Sequence, residues 1–217
     1  MNIEQARFNM IEQQIRPWDV LDKGVLGLLA VVRREDFVPP AYRSLAFVDS
    51  EVPLGEGEQM LAPRVEARML QDLQVQRHER VLEIGTGSGF MAALLGHRAQ
   101  SVITLEVKPA LAKTATENLR RSGASNVTVV QADGVHGYAS EGPFDAIMLS
   151  GSVSRVPEEL LKQLKPGGRL VAIEGDEPVM EAVRYTANAD GTHTRLGLFD
   201  VNAARLIGFA EPARFHF

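Results

Sequence analysis

Three glycines in five residues, Gly85-Thr86-Gly87-Ser88-Gly89, follow directly on the apolar run Arg80 to Ile84 and precede a helical pattern that begins near Ser88. A strand that enters such a turn and leaves as a helix gathers unpaired backbone N–H groups at one point, with no Cβ to hold a ligand away. That arrangement suits a nucleotide-like cofactor. Glu106 ends the next apolar run, 21 residues after Gly85. A carboxylate at that place accepts both hydroxyls of a ribose. Asp133-Gly134 ends a third run on the same edge, where an acid can take the amino group of an adenine. Asp145 opens the following run, falls on the opposite edge and reads as structural. Lys165-Pro166-Gly167-Gly168-Arg169 reads as a tight turn without a chemical role.

The composition narrows the chemistry. The 217 residues are 45% hydrophobic, enough for one well-cored domain with an appended cap. A net charge of −5 with scattered basic residues argues against a nucleic-acid partner. With no cysteine there is no disulfide, no thiolate metal site and no cysteine nucleophile. The five histidines, His78, His97, His136, His193 and His216, are spread out; His136 alone falls near the presumed pocket. No metal cluster, signal peptide or membrane-length apolar run is visible, and a cytoplasmic protein with no membrane partner is expected.

The elements that position these residues follow from periodicity. Ile3, Ala6, Met10 and Ile11 predict a helix over 3–15, ended by Pro17. Asp19 is expected to cap a second helix with Val25, Leu28, Leu29 and Val32 on its apolar face. Residues 42–62 read as a long loop, too polar and too glycine-rich for a core strand, and loops of that length are often functional. Pro63 starts a third helix with Val65, Met69 and Leu73 on one side. From residue 77 strands and helices alternate: strands at 80–84, 102–106, 127–131, 144–149 and 169–173, helices at 88–98, 110–121 and 157–164, then a hairpin over 181–201. The expectation is an α/β fold in which residues 1–76 form a helical cap and substrate loop and residues 77–217 a cofactor-binding core.

Two cofactors fit a glycine turn with two such acids: a dinucleotide and S-adenosylmethionine. The dinucleotide pattern wants a third glycine where this chain has Phe90, which favours the smaller cofactor. The set Val81-Leu82-Glu83-Ile84-Gly85-Thr86-Gly87-Ser88-Gly89, the acid Glu106, Asp133-Gly134, Phe144-Asp145-Ala146-Ile147 and Leu164-Lys165-Pro166-Gly167-Gly168-Arg169-Leu170-Val171 resembles the motif series of class I S-adenosylmethionine-dependent methyltransferases. The stretches Met10 to Arg16, Arg34-Glu35-Asp36-Phe37-Val38-Pro39, Ala46 to Asp49 and Pro53-Leu54-Gly55 are similar to the protein-L-isoaspartate (D-aspartate) O-methyltransferase family. That resemblance implies a Rossmann-like, seven-stranded, mostly parallel sheet with flanking helices and an N-terminal helical cap. It implies methylation of the side-chain carboxylate of isoaspartyl residues in damaged proteins. It assigns Glu83, Gly85, Thr86, Gly87, Ser88, Gly89, Glu106, Asp133 and Gly134 to the cofactor and Asp49, Gln59 and Leu61 to the catalytic side.

The chain departs from the family in one stretch. Where the family carries Thr-Ile-Ser, this chain has Gln59-Met60-Leu61. Loss of a hydroxyl that bonds a charged group costs about 1–3 kcal/mol. Glu51, Glu56 and Glu58 lie in the same stretch, and each would repel an anionic acceptor by roughly 1 kcal/mol at 4 Å in water. Three readings therefore stand: methylation of isoaspartyl peptides or proteins, methylation of a different small acceptor, or a cofactor-binding protein without transfer activity.

Overall fold

The computed structural model describes residues 2–211. Its centre is a seven-stranded sheet built from β3 (Arg80–Ile84), β4 (Ser101–Glu106), β5 (Val127–Gln131), β6 (Phe144–Val153), β7 (Leu164–Asp176), β8 (Val179–Ala187) and β9 (His193–Asp200). The spatial order is β5-β4-β3-β6-β7-β8-β9, parallel through β7 and antiparallel beyond it. This is the expected mostly parallel α/β sheet. Helices α4 (Phe90–Arg98) and α5 (Pro109–Ser122) make the crossovers to β4 and β5.

Side chains alternate across the strands, so each strand feeds two cores. Val81, Val102, Ala146, Met148 and Val171 join one cluster; Leu82, Leu105, Ile147, Leu149 and Leu170 join the other. The first cluster also takes in the apolar residues of α2 (Lys23–Val31) and α3 (Pro63–Leu73), so the N-terminal helices pack directly on one face of the sheet. In α3, Val65, Met69 and Leu73 are buried as their spacing predicts. No helix among the described residues is long and apolar enough to cross a membrane.

Several local expectations change. The first helix, α1 (Ile3–Asn9), passes into a wider π-helical turn over Met10–Ile15 and a tight 3-10 turn over Arg16–Trp18 that contains Pro17. The chain stays helical through the proline because a new helical turn tolerates a missing N–H in its first positions. Asp19 does not cap α2: it sits in the left-handed region at φ 58°, and Asp22 Oδ1 accepts from Val25 N at 2.8 Å instead. The stretch read as an irregular loop holds a two-stranded ribbon, β1 (Val52–Gly55) and β2 (Glu58–Met60), paired from Val52 with Met60 to Gly55 with Glu58. The glycines that argued against a strand make its turn. The helix expected over 157–164 shrinks to α6 (Glu158–Leu161), because Leu164 pairs with Phe144 and the Lys165–Arg169 turn becomes an irregularity inside β7. Strand β6 runs past Leu149 to Val153, where it pairs again with β7 after a register shift. Asp145, at the opposite edge from the glycine turn, accepts from Arg80 N and Lys165 Nζ, both at 2.8 Å.

The two N-cap assignments differ in a measurable way. Asp22→Ala is expected to lower stability by about 1 kcal/mol in urea unfolding, since it removes a bonded cap. Asp19→Ala, at a side chain 82% exposed, is expected to stay within about 0.5 kcal/mol. Equal losses from both substitutions would refute the assignment.

Candidate active site

Strand β3 is the point where the strand order reverses, with β4 and β5 on one side and β6 and β7 on the other. Open α/β sheets bind ligands in the crevice that this reversal leaves at the C-terminal ends of the strands. The glycine turn occupies that place. It is anchored to the neighbouring strand, where Gly85 N and Thr86 N donate to Leu105 O at 2.9 and 3.2 Å. Gly85 has φ 90°, and a Cβ there would stand 2.6 Å from Leu206 Cδ2, so only glycine fits. Gly87 turns its N–H to Glu106 Oε2 at 2.8 Å, and the other oxygen of Glu106 accepts from Lys108 N at 3.0 Å. Ser88 is buried, its carbonyl accepting from Asn118 Nδ2 at 2.9 Å. Gly89 caps α4, which begins at Phe90, two residues later than expected.

Glu83 lies directly behind the turn, wholly buried. Thr104 Oγ1 donates to its Oε2 at 2.6 Å and Ser150 Oγ to its Oε1 at 2.7 Å; Thr86 Oγ1 meets Thr104 Oγ1 at 2.6 Å. Burial pushes the Glu83 carboxyl up to about 8, the two hydroxyls pull it down, and Glu106 and Glu66 nearby raise it further. Thr104 and Ser150 were not singled out in the sequence. Strand alternation could have found them, since both share the face of Val81, Val102 and Met148.

Two spaces meet over this network. The outer cleft, about 510 Å³ of empty space, is bordered by Gly85, Gly87, Glu106 and Gly134 and roofed by Glu58 and Gln59 on one side and Leu206 and Ile207 on the other. The inner chamber is bordered by Leu54, Met60, Leu61, Glu66 and Glu83. Gln59, Gly85, Gly87 and Ser150 border both. No lysine, arginine or histidine lines either space.

The expected site residues thus divide. Glu83, Gly85, Thr86, Gly87, Ser88, Glu106 and Gly134 border the two spaces, as do Gln59 and Leu61. Asp133 does not: its exposed carboxylate accepts from Val135 N at 3.0 Å, and the backbone of Gly208 packs against it. Asp49 is also off the lining, paired with Arg64, whose guanidinium stacks 4.1 Å from the centre of the Trp18 ring. His136 lies outside as well, exposed and bonded to Glu159 at 2.5 Å. Of the acids expected to repel an anion, Glu58 is neutralised by Lys108 Nζ at 2.8 Å, while Glu56 is exposed at the ribbon tip and burial raises the Glu51 carboxyl. Leu206 and Ile207 carried no signal in the sequence. They reach the cleft because the chain returns after β9 alongside β6, with Ser152 N donating to Ala204 O at 2.8 Å and Leu206 N to Ser152 O at 2.9 Å. Among the described residues no three histidine or acidic side chains converge as a metal site would require.

Comparison with known proteins agrees with this geometry. The chain matches the protein-L-isoaspartate(D-aspartate) O-methyltransferase family over residues 5–196. It is 39% identical over 198 residues to Protein-L-isoaspartate O-methyltransferase 1 of Syntrophobacter fumaroxidans, covering 91% of this chain and 92% of that protein. It is 37% identical over 210 residues to the protein-L-isoaspartate O-methyltransferase of Koribacter versatilis, covering 96% and 94%. In fold it is similar to a Plasmodium falciparum protein described as a protein-L-isoaspartate O-methyltransferase and crystallised with S-adenosyl-L-homocysteine, with a TM-score of 0.78 at 22% identity over 95% of this chain and 98% of that one. A second solved structure under the same description gives a TM-score of 0.78 at 23% identity. With the motif set, the strand order and a family match that spans nearly the whole chain, the protein belongs to the protein-L-isoaspartate(D-aspartate) O-methyltransferase family and is an S-adenosylmethionine-dependent methyltransferase.

Proposed function

We propose that the protein transfers the methyl group of S-adenosylmethionine to the free side-chain carboxylate of an isoaspartyl residue in a peptide or protein. The observation that carries this reading is the junction of the two spaces at Gln59, Gly85, Gly87 and Ser150. A donor with its ribose against Glu106 in the outer cleft and its ammonium at Glu83 in the inner chamber passes through that junction, where an acceptor carried by the ribbon can reach it. The residues present fit the cofactor. Glu83 is a buried acid with hydroxyl partners and no cation, matched to an ammonium group, and Glu106 stands at the strand end where a ribose would lie.

Glu83, Gly85, Thr86, Gly87, Ser88, Gly89, Glu106 and Gly134 would hold the cofactor, with Asp133 joining them by releasing Val135 N. When bound, the cofactor supplies an activated methyl on a sulfonium. The chain then has little covalent chemistry to perform. An acceptor carboxylate is ionised at pH 7 and needs no general base, so alignment at near-attack distance supplies most of the acceleration. Gln59 offers a neutral amide donor at the junction, where a cation would quench the nucleophile. Leu61, buried against the inner chamber, excludes water, and Asp49 pairs with Arg64 outside the lining. A second reading rests on the lack of any basic side chain on the lining: the acceptor is a neutral small molecule. We also infer that residues 1–76 act as a cap bearing the substrate ribbon over a core of residues 77–217. The absence of cysteine supports action in the cytoplasm.

Radiolabelled methyl transfer to an isoaspartyl peptide tests the first reading, and incorporation into neutral small molecules but not the peptide would favour the second. Gln59→Ala is expected to lower kcat/KM for the peptide about 10- to 100-fold, the loss of one hydrogen bond to a charged group. Glu106→Gln is expected to weaken S-adenosylhomocysteine binding by a similar factor in calorimetry; unchanged affinity would remove Glu106 from the site. The pH dependence has a definite sign. Glu83 titrates near 8 in the free protein, so below that pH an ammonium ligand must displace its proton. Affinity should rise with pH, by at most about tenfold per unit, up to about 8, and fall again where the ligand's own amino group loses its proton. Calorimetry in buffers of different ionisation enthalpy should show proton release that Glu83→Gln abolishes.

A further inference from the structure

Arg34 is a large side chain that the chemistry above leaves unused, and it is only 1% exposed. It opens the 3-10 turn Arg34–Asp36, far from the glycine turn in sequence. Its guanidinium spends its donors on three separate segments. Nη1 donates to Ala46 O at 3.2 Å, Nη2 to Leu61 O at 2.5 Å, and Nε to Glu66 Oε2 at 3.1 Å. Its fourth contact is the ring of Phe90, the first residue of α4 after the glycine turn, 5.6 Å from the guanidinium carbon.

These contacts have one geometric property in common. The ribbon that carries Gln59 lies between Ala46 and Leu61, with Val52 and Met60 at its base packed into the core, and Arg34 grips the chain on both sides of it. Leu61 and Glu66 also border the inner chamber. A buried arginine cannot shed its charge, and the carboxyl beside it is Glu66, itself 4% exposed, which burial raises to about 7 while Arg34 pulls it down. An apolar pair of the same volume would fill this space at no desolvation cost. What an apolar pair cannot do is hold two carbonyl groups at fixed positions, and a lysine, with one compact ammonium, cannot span the fork either.

We propose that Arg34 is a positioning residue for methyl transfer: through the carbonyls of Ala46 and Leu61 it fixes the substrate ribbon, and with it Gln59 and the wall of the inner chamber, against the glycine turn. Glu66 serves as its counter-charge. The role rests on the reading that the ribbon presents the acceptor to the methyl donor at the junction of the two spaces.

The test compares the wild type with R34M/E66L and R34K. The double variant removes both charges, so no ion is left buried alone, and its Tm is expected within about 5 °C of the wild type. S-adenosylhomocysteine affinity is expected to stay within about threefold in R34K, which leaves every residue bordering the two spaces in place. Amide exchange across residues 52–61 should accelerate about tenfold or more, and kcat for an isoaspartyl peptide should fall about 100-fold while KM for S-adenosylmethionine holds. A double variant that matches the wild type in exchange and kcat overturns the proposal and leaves the pair a packing feature. Should it fail to fold, R34K decides, with its charge kept and its fork lost: a kcat about tenfold down with faster exchange supports positioning, and wild-type values overturn it. If the wild type itself methylates no isoaspartyl peptide, the acceptor reading has failed, and exchange at 52–61 alone settles Arg34: faster in the variants supports the grip, unchanged overturns it.

Discussion

A carboxyl group buried in the middle of the sheet, satisfied by hydroxyls and faced by no cation, is the constraint around which the rest of this site is arranged. Glu83 is across from Thr104 in the pairing of β3 with β4, and Ser150 reaches it from β6. Desolvation makes an ionised acid there expensive, so the free protein keeps the proton that a cationic ligand would replace. The location follows from simple rules. Alternation puts Glu83, Thr104 and Ser150 on one face, and the reversal of strand order at β3 leaves the strand ends above them uncovered by a crossover helix.

Everything else that borders the site is brought to it from elsewhere in the chain. The ribbon β1–β2 comes from the N-terminal third and the Leu206–Ile207 segment from beyond β9. A two-stranded ribbon has too little apolar surface to hold its own position. It is held at its base by the buried Val52 and Met60 and by Arg34, and at its tip by Lys108, which pairs with Glu58 and donates to the Glu56 carbonyl. Lys108 also donates its backbone N–H to Glu106. The ribbon tip and the acid at the end of β4 therefore share one residue, and the two walls of the cleft cannot move independently. The C-terminal segment is held differently, by backbone bonds to Ser152 on both sides of Arg205.

Features that depend on the local backbone were legible. A glycine at φ 90°, such as Gly85, is written in the sequence because few other residues adopt that conformation. The spacing of Glu106 was readable because strand, turn and helix lengths are narrowly bounded in a βαβ unit. Features that depend on where a side chain points were not. Asp133 and Asp19 have the right residue type in the right place, yet Asp133 turns to Val135 N and Asp19 adopts a left-handed backbone while Asp22 does the capping. The ribbon was missed because Gly55 and Gly57 weigh against a strand by propensity, although they are the residues that allow its tight turn. Glu58 read as a repulsive charge until the structure placed Lys108 against it, a contact between residues fifty apart.

The sequence by itself determined the parallel sheet, the glycine turn, the acids at the ends of its strands and the family to which they belong. Each of these is a matter of period, spacing or backbone conformation, which neighbouring residues dictate. The grip on the ribbon beside the glycine turn comes from the tertiary structure alone. Arg34, Ala46, Leu61 and Glu66 have no periodic relation to one another, and they meet because one buried guanidinium must be satisfied by two carbonyls and a carboxylate that the chain brings to it from elsewhere.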